Sequence, residues 1–427
     1  MFGILLGLIV LMVLAYLGWS IIWVAPIAAG VVALTGGLDL LDAYKDTYMS
    51  GFVGFAQQWF PVFMLGAVFG KLMEDTGMAR SVAVALTKLI GTKRAILGVL
   101  VSAAVLTYGG VSLFVVVFAV YPLALTLFRE ANISRRLIPP TVALGAFTFT
   151  MTAIPGTPQI QNLIPIDYFE TSATAAPIMG IAAGSVMSFG GYFYLRWREG
   201  KLQQAGEQYT EPKDKKVFGE EESTPPFLLS LLPLLTVLLT LNLLGWDIIV
   251  ALLSGIVLIM LLNAYKVKKF VQAINGGAAG SVTAIINTSA AVGFGTVVQA
   301  VPGFERLTEI LMGVKGSPLI SEAIAVNILA GATGSASGGM GIALEALGSR
   351  YYEIAMETGV DPEAFHRVAS LSSGGLDALP HNGAVLTLLA ITGMTHKDCY
   401  KDIFVVAVGI PVLSVGVAIL LAMIGLI

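Results

Sequence analysis

The sequence predicts an all-α polytopic membrane protein. Of its 427 residues, 56% are hydrophobic and only 12% are charged, and the mean hydropathy is +0.85. A soluble domain carries about 25% charged residues, so a globular fold of this size would lack the polar surface that it needs. The apolar runs are continuous over about 18 residues or more instead of alternating, which favours helices over a transmembrane β-barrel. The 48 glycines interrupt a few of these runs, and the interruptions predict the details of the fold.

Composition also excludes several classes of protein. The net charge is −3 and the basic residues are scattered, which is not the pattern of a nucleic-acid-binding protein. Cys399 is the single cysteine, so an intramolecular disulfide and a cysteine-based metal cluster are excluded. We expect no cofactor and no metal. The first apolar run begins at Met1 without a basic region or a small-residue cleavage site, which predicts a retained helix and not a signal peptide.

Continuous and interrupted apolar segments alternate along the chain. The continuous ones, predicted to span the membrane, are 2–22, 23–37, 51–72, 170–195, 226–244, 246–264, 273–300 and 402–427. Segments 95–128 and 318–346 split at glycine-rich turns into arms too short to span, which is typical of re-entrant hairpins. Segments 139–165 and 362–394 read as helices broken midway, at 154–158 and 379–383. Non-helical backbone at membrane depth is tolerated only inside protein or beside a wet cavity.

These interruptions occur twice in the same order. Gly109 and Pro155 are 46 residues apart, and so are Gly334 and Pro380. The segment 89–93 (LIGTK) also resembles 311–315 (LMGVK), and the second copy follows the first by 222 residues at this glycine and by 225 at the proline. The sequence therefore predicts repeats over 51–195 and 273–427. Helices at 1–50 precede the first repeat, and a linker (196–225) and a helix pair (226–272) precede the second.

The distribution of lysine and arginine predicts the orientation. When loop 196–225 is placed in the cytoplasm, 19 of the 24 basic residues lie on the cytoplasmic side, as expected for a membrane protein. The two hairpins then open toward opposite sides, so the repeats are inverted. Inverted repeats with broken helices are typical of secondary transporters that bind their substrate near the midplane.

The four interruptions supply the candidate site. Half-helix ends inside the membrane offer unpaired N–H groups to an anion, glycine permits close approach, and hydroxyl and amide groups donate hydrogen bonds. No lysine or arginine is predicted at the breaks, which favours a substrate with one carboxylate. The candidate substrate-binding residues are Thr107, Tyr108, Gly109, Gly110, Ser112, Thr157, Gln159, Ser335, Ser337, Gly338, Gly339, Ser373, His381 and Asn382.

Three ionisable residues are candidates for proton coupling. Histidine as a residue type titrates near physiological pH, and His381 lies at a break. Asp377 precedes it by four residues and would pair with it if the helical turn persisted, and Glu345 lies in the outer arm of the second hairpin. The alternative interpretation makes His381 a packing residue and the small residues of the tips helix-packing contacts. His366 and His396 are expected in connectors, and Arg367 in an outer one.

The residues resemble a known family. The run 65–77 (LGAVFGKLMEDTG), the amphipathic stretch to Lys93, and Ser372-Ser373-Gly374-Gly375 with Pro380-His381-Asn382-Gly383 are similar to the gluconate permease family of the ion transporter superfamily. The resemblance implies proton-coupled uptake of a hydroxylated monocarboxylate, such as gluconate or 3-hydroxybutyrate, across a bacterial inner membrane. It also implies a homodimer with scaffold and transport bundles and an elevator-type movement. Residues 110–112 (GVS) depart from gluconate carriers, where an acidic residue is expected, which favours a smaller acid.

Three other functions remain as alternatives. A sodium-coupled di- or tricarboxylate carrier shares the mechanism class, and an anion channel could be built from the same hairpins. An intramembrane enzyme is disfavoured because no paired metal ligands and no nucleophile with its base occur across the breaks.

Overall fold

The computed structural model describes residues 1–91, 94–212, 225–312 and 317–427, which contain helices and no strand. The all-α prediction is confirmed. The first half of the chain contains α1 Phe2–Tyr16, α2 Ile21–Gly36, α3 Met49–Asp75, α4 Met78–Ile90, α5 Ala95–Tyr108, α6 Leu113–Glu130, α7 Ile138–Ala146, α8 Phe149–Thr152, α9 Ile160–Phe169 and α10 Pro177–Gln204. A short helix, Leu40–Asp42, and a π-helical turn, Ala43–Tyr48, lead into α3.

The second half repeats this order. It contains α11 Phe227–Asn242, α12 Ile248–Leu262, α13 Val267–Ala300, α14 Gly303–Met312, α15 Pro318–Thr333, α16 Ala336–Thr358, α17 Pro362–Ser373, α18 Gly383–Thr392, α19 His396–Phe404 and α20 Ile410–Met423. The π-helical segment Val405–Gly409 joins α19 to α20. Each half thus has two short apolar helices, a long helix, a connector, a hairpin, a broken helix and a final long helix.

Equivalent positions in the halves lie 223 residues apart. This spacing separates the first residues of α5 and α15 (95 and 318), and also the residues that precede α6 and α16, Ser112 and Ser335. The pairs α1–α2 and α11–α12 take the same place in each half, although the sequence left 1–50 and 226–272 outside the repeats. Part of the sequence match that suggested the repeats, 92–93 and 313–315, lies outside the described residues, as does 213–224 of the predicted linker.

Glycine allows α3 and α13 to pack closely. Among the described residues, four helical runs are long and apolar enough to cross a membrane: Leu40–Asp75, Pro177–Gln204, Ala264–Ala300 and His396–Met423. They include α3, α10, α13 and α20, and α3 packs along α13. A Cβ at Gly277 would lie 2.6 Å from the Cα of Val68, and one at Gly293 would lie 2.8 Å from the carbonyl of Tyr48. Small residues at these crossings bring the backbones together, as is common in membranes.

The two broken helices run in opposite directions. At the start of α7, Arg136 Nε donates to the carbonyl of Asp398 at 2.6 Å, just beyond the end of α18. At the start of α17, the Glu363 carboxylate accepts from the backbone N–H of Ala176 at 2.8 Å, just beyond the end of α9. The first broken helix therefore begins where the second one ends. We refer to these two ends of the molecule as the Arg136 end and the Glu363 end.

Candidate functional site

The first hairpin tip, residues 107–112, is held against the first break, residues 153–159. The amide of Gln159, which precedes α9, donates to the carbonyl of Thr107 at 2.7 Å and to that of Val111 at 3.4 Å. In return, the Tyr108 hydroxyl donates to the carbonyl of Pro155 at 2.9 Å. Gly110 has φ +94°, a backbone conformation that glycine adopts without strain. The tip and the break are thus fastened from both sides.

The second tip, residues 333–338, is held against the second break, residues 374–382, by an equivalent amide. Asn382 precedes α18, and its Nδ2 donates to the carbonyl of Gly334 at 2.8 Å. Gly334 has φ +60°, and a Cβ there would approach the His381 ring to 2.7 Å. Gln159 and Asn382 are 223 residues apart, so the repeat places the same kind of clamp at both tips.

The second break is longer than the sequence indicates. Helix α17 ends at Ser373, and the next helix begins only at Gly383. Gly374 and Gly375 follow Ser373 directly, and glycine is a poor helix former. The helical turn required for an Asp377–His381 pair is therefore absent. Asp377 is buried, and its Oδ1 atom has no hydrogen-bond partner among the described residues.

The two breaks meet inside the molecule. The Ser370 hydroxyl donates to the carbonyl of Thr152 at 2.8 Å. A Cβ at Gly374 would lie 2.8 Å from the Thr152 side chain, so glycine lets the two chains approach closely. Ser373, a predicted site residue, instead donates to the carbonyl of Ser370 within its own helix at 2.7 Å.

Four helix N-termini lie at the two tips and the two breaks. They belong to the second arm of each hairpin, α6 and α16, and to the second half of each broken helix, α9 and α18. Helix α6 packs on α18, and α16 packs on α9, so each hairpin contacts the broken helix of the other repeat. Helix N-termini carry partial positive charge and unpaired N–H groups, which bind anions. The junction therefore favours a negatively charged ligand.

The two halves of the junction differ in their capping. The Ser335 hydroxyl accepts from the N–H of Gly338 at 3.1 Å, and the Asn382 amide oxygen accepts from the N–H of Val385 at 2.9 Å. Among the described residues of the first repeat, the side chains of Ser112 and Gln159 do not cap the helices that they precede. The first N–H groups of α6 and α9 thus lack the side-chain acceptors that α16 and α18 have.

Two buried hydroxyls lie in the first tip and the first break, where the helix N-termini have no side-chain cap. Thr107 and Thr157 are fully buried, and neither hydroxyl has a hydrogen-bond partner among the described residues. A buried polar group without a partner is costly, so these hydroxyls are suited to donate to a ligand or to an ordered water. Asn242, at the end of α11, donates to the carbonyl of Gly156 at 2.9 Å and closes this side of the break.

The second tip combines polar and packing roles. The hydroxyls of Ser337 and of Thr288 on α13 are 3.4 Å apart. A Cβ at Gly339 would overlap the backbone of Ala330, so this glycine allows the two hairpin arms to pack. Gly109 has a comparable neighbour, because a Cβ there would lie 2.8 Å from the Leu234 side chain. A binding role for these predicted residues stays a prediction.

Arg367 corrects one sequence-based expectation. It was placed in an outer connector, and the breaks were expected to lack a cation. Its side chain is instead fully buried on α17. It donates to the carbonyl of Ala175 from Nε at 3.1 Å and from an Nη atom at 2.6 Å, and to Asn162 Oδ1 at 2.9 Å. A third acceptor, the carbonyl of Thr152, lies 3.4 Å away. A positive charge therefore lies beside the first break.

Two further residues of this network were not among the predicted site residues. Asn162 is fully buried and donates to the carbonyls of Ala173 at 2.7 Å and Thr157 at 3.0 Å. His366, expected in a connector, is also fully buried, and its Nδ1 lies 2.6 Å from the hydroxyl of Thr171. The adjacent His366-Arg367 pair on a helix with an apolar face was the signal that could have found them.

Among the ionisable candidates, Glu345 lies apart from the junction. Glu345 is half-buried and accepts from the Tyr168 hydroxyl at 3.1 Å, ten residues along α16 from Ser335. That spacing corresponds to about 15 Å along a helix. His396 Nε2 lies 2.9 Å from the carbonyl of Pro380. No group of three or more His, Cys, Asp or Glu side chains that could hold a metal occurs in the part of the chain that the structure describes.

The comparisons with known proteins agree with this architecture. A family model described as "GntP family permease" matches residues 1–245. The chain belongs to this family. The resemblance to gluconate permeases is thus confirmed, and the chain is a multi-pass membrane transporter and not an enzyme. A Bacillus subtilis (strain 168) protein described as "Uncharacterized transporter YxjC" is 42% identical over 446 residues, covering 94% of each chain.

More distant relatives match in part or in fold. A Haemophilus influenzae (strain ATCC 51907 / DSM 11121 / KW20 / Rd) protein described as "Uncharacterized permease" is 27% identical over 221 residues, covering 49% of this chain and 43% of that protein. The crystal structure of the Alcanivorax borkumensis YdaH transporter superposes with a TM-score of 0.58 at 15% identity, covering 91% of this chain and 89% of that one. This likeness shows a shared transporter fold.

Proposed function

We propose that this permease is a proton-coupled symporter of a short hydroxylated monocarboxylate similar to 3-hydroxybutyrate or gluconate. The observation that supports this most strongly is that four helices begin at the two tips and the two breaks, and that two of these N-termini have no side-chain cap. A carboxylate at the N-termini of α6 and α9 would accept from N–H groups that lack side-chain partners, and from the hydroxyls of Thr107 and Thr157. Such charge-assisted hydrogen bonds are stronger than neutral ones.

Arg367 supports a substrate with one carboxylate. Its positive charge attracts an anion to the first break, but its N–H groups already donate to Ala175 and Asn162. A second carboxylate would need a free guanidinium fork to bind in the bidentate manner. The hydroxyls of Ser337 and Thr288 suit a substrate hydroxyl on the opposite wall, where an uncharged polar contact suffices.

The contacts between each hairpin and the broken helix of its own repeat support an elevator-type movement. The hairpins and broken helices are fastened to each other by Gln159, Tyr108 and Asn382, so they can move as one transport bundle. The α3–α13 pair would then belong to the scaffold, through which we propose that the protein dimerises. The charge distribution supports placement in a bacterial inner membrane with loop 196–225 in the cytoplasm.

Uptake into proteoliposomes tests this function. Labelled 3-hydroxybutyrate should accumulate under an inward proton gradient, without sodium, and unlabelled gluconate should compete. Competition by succinate or citrate alone, together with a sodium requirement, would instead identify a di- or tricarboxylate carrier. Unitary conductance without accumulation would identify a channel.

Matched threonine variants test the position of the site. Thr157→Val removes a buried hydroxyl and keeps the shape of the side chain, so we expect binding about tenfold weaker, the effect of one lost hydrogen bond to a charged group. Thr387→Val is the control, because Thr387 is only half-buried and its hydroxyl bonds within its own helix to Gly383. Equal affinities of the two variants, measured by ligand-induced thermal stabilisation, would contradict the proposed site.

A further inference from the structure

A buried acid lies outside the site described above. Glu322 is on α15, the first arm of the second hairpin, and its side chain is fully buried. Neither carboxylate oxygen has a hydrogen-bond partner among the described residues. Arg367 is equally buried, but it donates to several acceptors. An ionised carboxylate without donors is among the costliest groups to bury.

The fold does not require an acid at this position. The equivalent residue of the first hairpin, 223 positions earlier, is Val99, which is also fully buried. Both residues lie four positions after the first residue of their helix, Ala95 or Pro318. Since valine packs the same place in one repeat, the carboxyl in the other repeat is not there for packing.

The carboxyl lies next to the contact between the hairpin and the broken helices. The adjacent Ser321 hydroxyl is 3.0 Å from the hydroxyl of Tyr351 on the other hairpin arm. The Tyr351 ring packs on Phe365 of α17 with centroids 5.9 Å apart, and Phe365 packs on Phe169 of α9 at 5.8 Å. A change at Glu322 would therefore act where the second hairpin docks on both broken helices.

The charged groups of the surrounding helices are engaged elsewhere. On α17, His366 and Arg367 face Asn162, and Glu363 bonds to Ala176. On α16, Glu345 bonds to Tyr168, and Arg350 pairs with Glu353 and Glu357 at the surface. On α14, Arg306 and Glu309 form an exposed pair and Glu305 is exposed, and α1 and α20 carry no charged residue. Tyr351 remains as the titratable neighbour among the described residues.

We propose that Glu322 binds the coupled proton, an inference that rests on the proposed symport. In this conformation the neutral carboxyl fits the dry, donor-free position. Loss of the proton would leave a charge that only water could stabilise, so the ionised form favours a conformation in which water reaches this position. Glu322 precedes Gly334 by 12 residues, about 18 Å along the helix, so proton and substrate occupy separate places on one hairpin.

Glu322→Gln is the decisive variant, because glutamine keeps the size of the side chain and cannot release a proton. In proteoliposomes we expect E322Q to lose accumulation driven by a proton gradient and to keep exchange of labelled for unlabelled 3-hydroxybutyrate, which needs no net proton movement. Glu353→Gln, exposed on the same hairpin, is the matched control and should keep both activities. If E322Q does not fold, Glu322→Val, which copies the first repeat, replaces it.

Infrared spectroscopy of the purified protein tests proton binding without transport. The carbonyl stretch of a protonated carboxyl should lose intensity in E322Q relative to the wild-type protein, but not in E353Q. Unchanged carbonyl intensity in E322Q, or proton-driven accumulation by E322Q, would overturn the assignment. It would also be overturned if Glu345→Gln lost proton coupling while E322Q kept it. If accumulation by the wild-type protein ignores the proton gradient, the proposed symport is wrong, whatever the spectrum of E322Q shows.

Discussion

Replacing Arg367 by methionine tests whether this buried cation joins the two broken helices. The carbonyl of Ala175 would lose both of its donors, at 2.6 and 3.1 Å. Asn162 Oδ1 would keep only the His366 ring, at 3.4 Å. The carbonyl of Thr152 would lose little, because Ser370 still donates to it at 2.8 Å.

These losses set the size of the effect. A buried acceptor left without a partner costs about 1–3 kcal/mol, and one acceptor is orphaned fully and another in part. Removing a buried charge recovers some desolvation energy. We therefore expect Arg367→Met to lower the free energy of unfolding by about 2–4 kcal/mol, with a melting temperature several degrees lower. Arg367→Lys should be nearly as unstable, because an ammonium cannot reach acceptors spread around a planar guanidinium.

The assay is thermal unfolding of the purified protein, followed by fluorescence. Arg306→Met is the control, because Arg306 is 70% exposed and its partner Glu309 is 64% exposed. Such surface pairs contribute little to stability. Equal melting temperatures for Arg367→Met and Arg306→Met would refute the idea that the Arg367 hydrogen bonds hold the broken helices together.

Two further predictions concern the second hairpin and the clamps. Gly339→Ala should lower the melting temperature, because the new Cβ would overlap the backbone of Ala330. The control Gly383→Ala has nothing within 4 Å of its new Cβ and should melt at the wild-type temperature. A lower melting temperature for Gly383→Ala than for Gly339→Ala would contradict this packing. Asn382→Ala should cost more stability than Gln159→Ala, by about 1 kcal/mol, because Asn382 also caps its helix while Gln159 does not. Chemical unfolding of the two variants measures the difference, and a larger loss for Gln159→Ala would refute it.

Glycine and proline residues made the hairpins and breaks predictable from the sequence. Glycine and proline disrupt helices through their own backbones, so residues 109–112 and 154–158 indicate breaks regardless of what surrounds them. The repeat followed from the spacing of the breaks and its inversion from the distribution of lysine and arginine, and the antiparallel contacts of Arg136 and Glu363 agree with it. The second break was placed too late because the adjacent glycines at 374 and 375 were not read as the end of α17.

Whether a charged side chain is buried in the protein was not predictable in the same way. Arg367 follows His366 and precedes Ser370 in a stretch whose mean hydropathy is low, which is also typical of a surface connector. Its burial depends on the carbonyl of Ala175 and on Asn162, which are about 200 residues distant in the sequence and near only after folding. The burial of Glu322 was not predictable for a similar reason, because the sequence of an apolar helix with a single acid does not indicate whether that acid faces protein or water.

The cross-packing of α6 on α18 and of α16 on α9 has a consequence for how this protein can change over time. A duplicated gene usually yields two modules that can diverge separately. Here each hairpin rests on the broken helix encoded by the other half, so neither half is a self-sufficient unit. A substitution on the face of α6 that contacts α18 alters the packing of the other half as well. We therefore expect residues at these two contacts to change together during evolution.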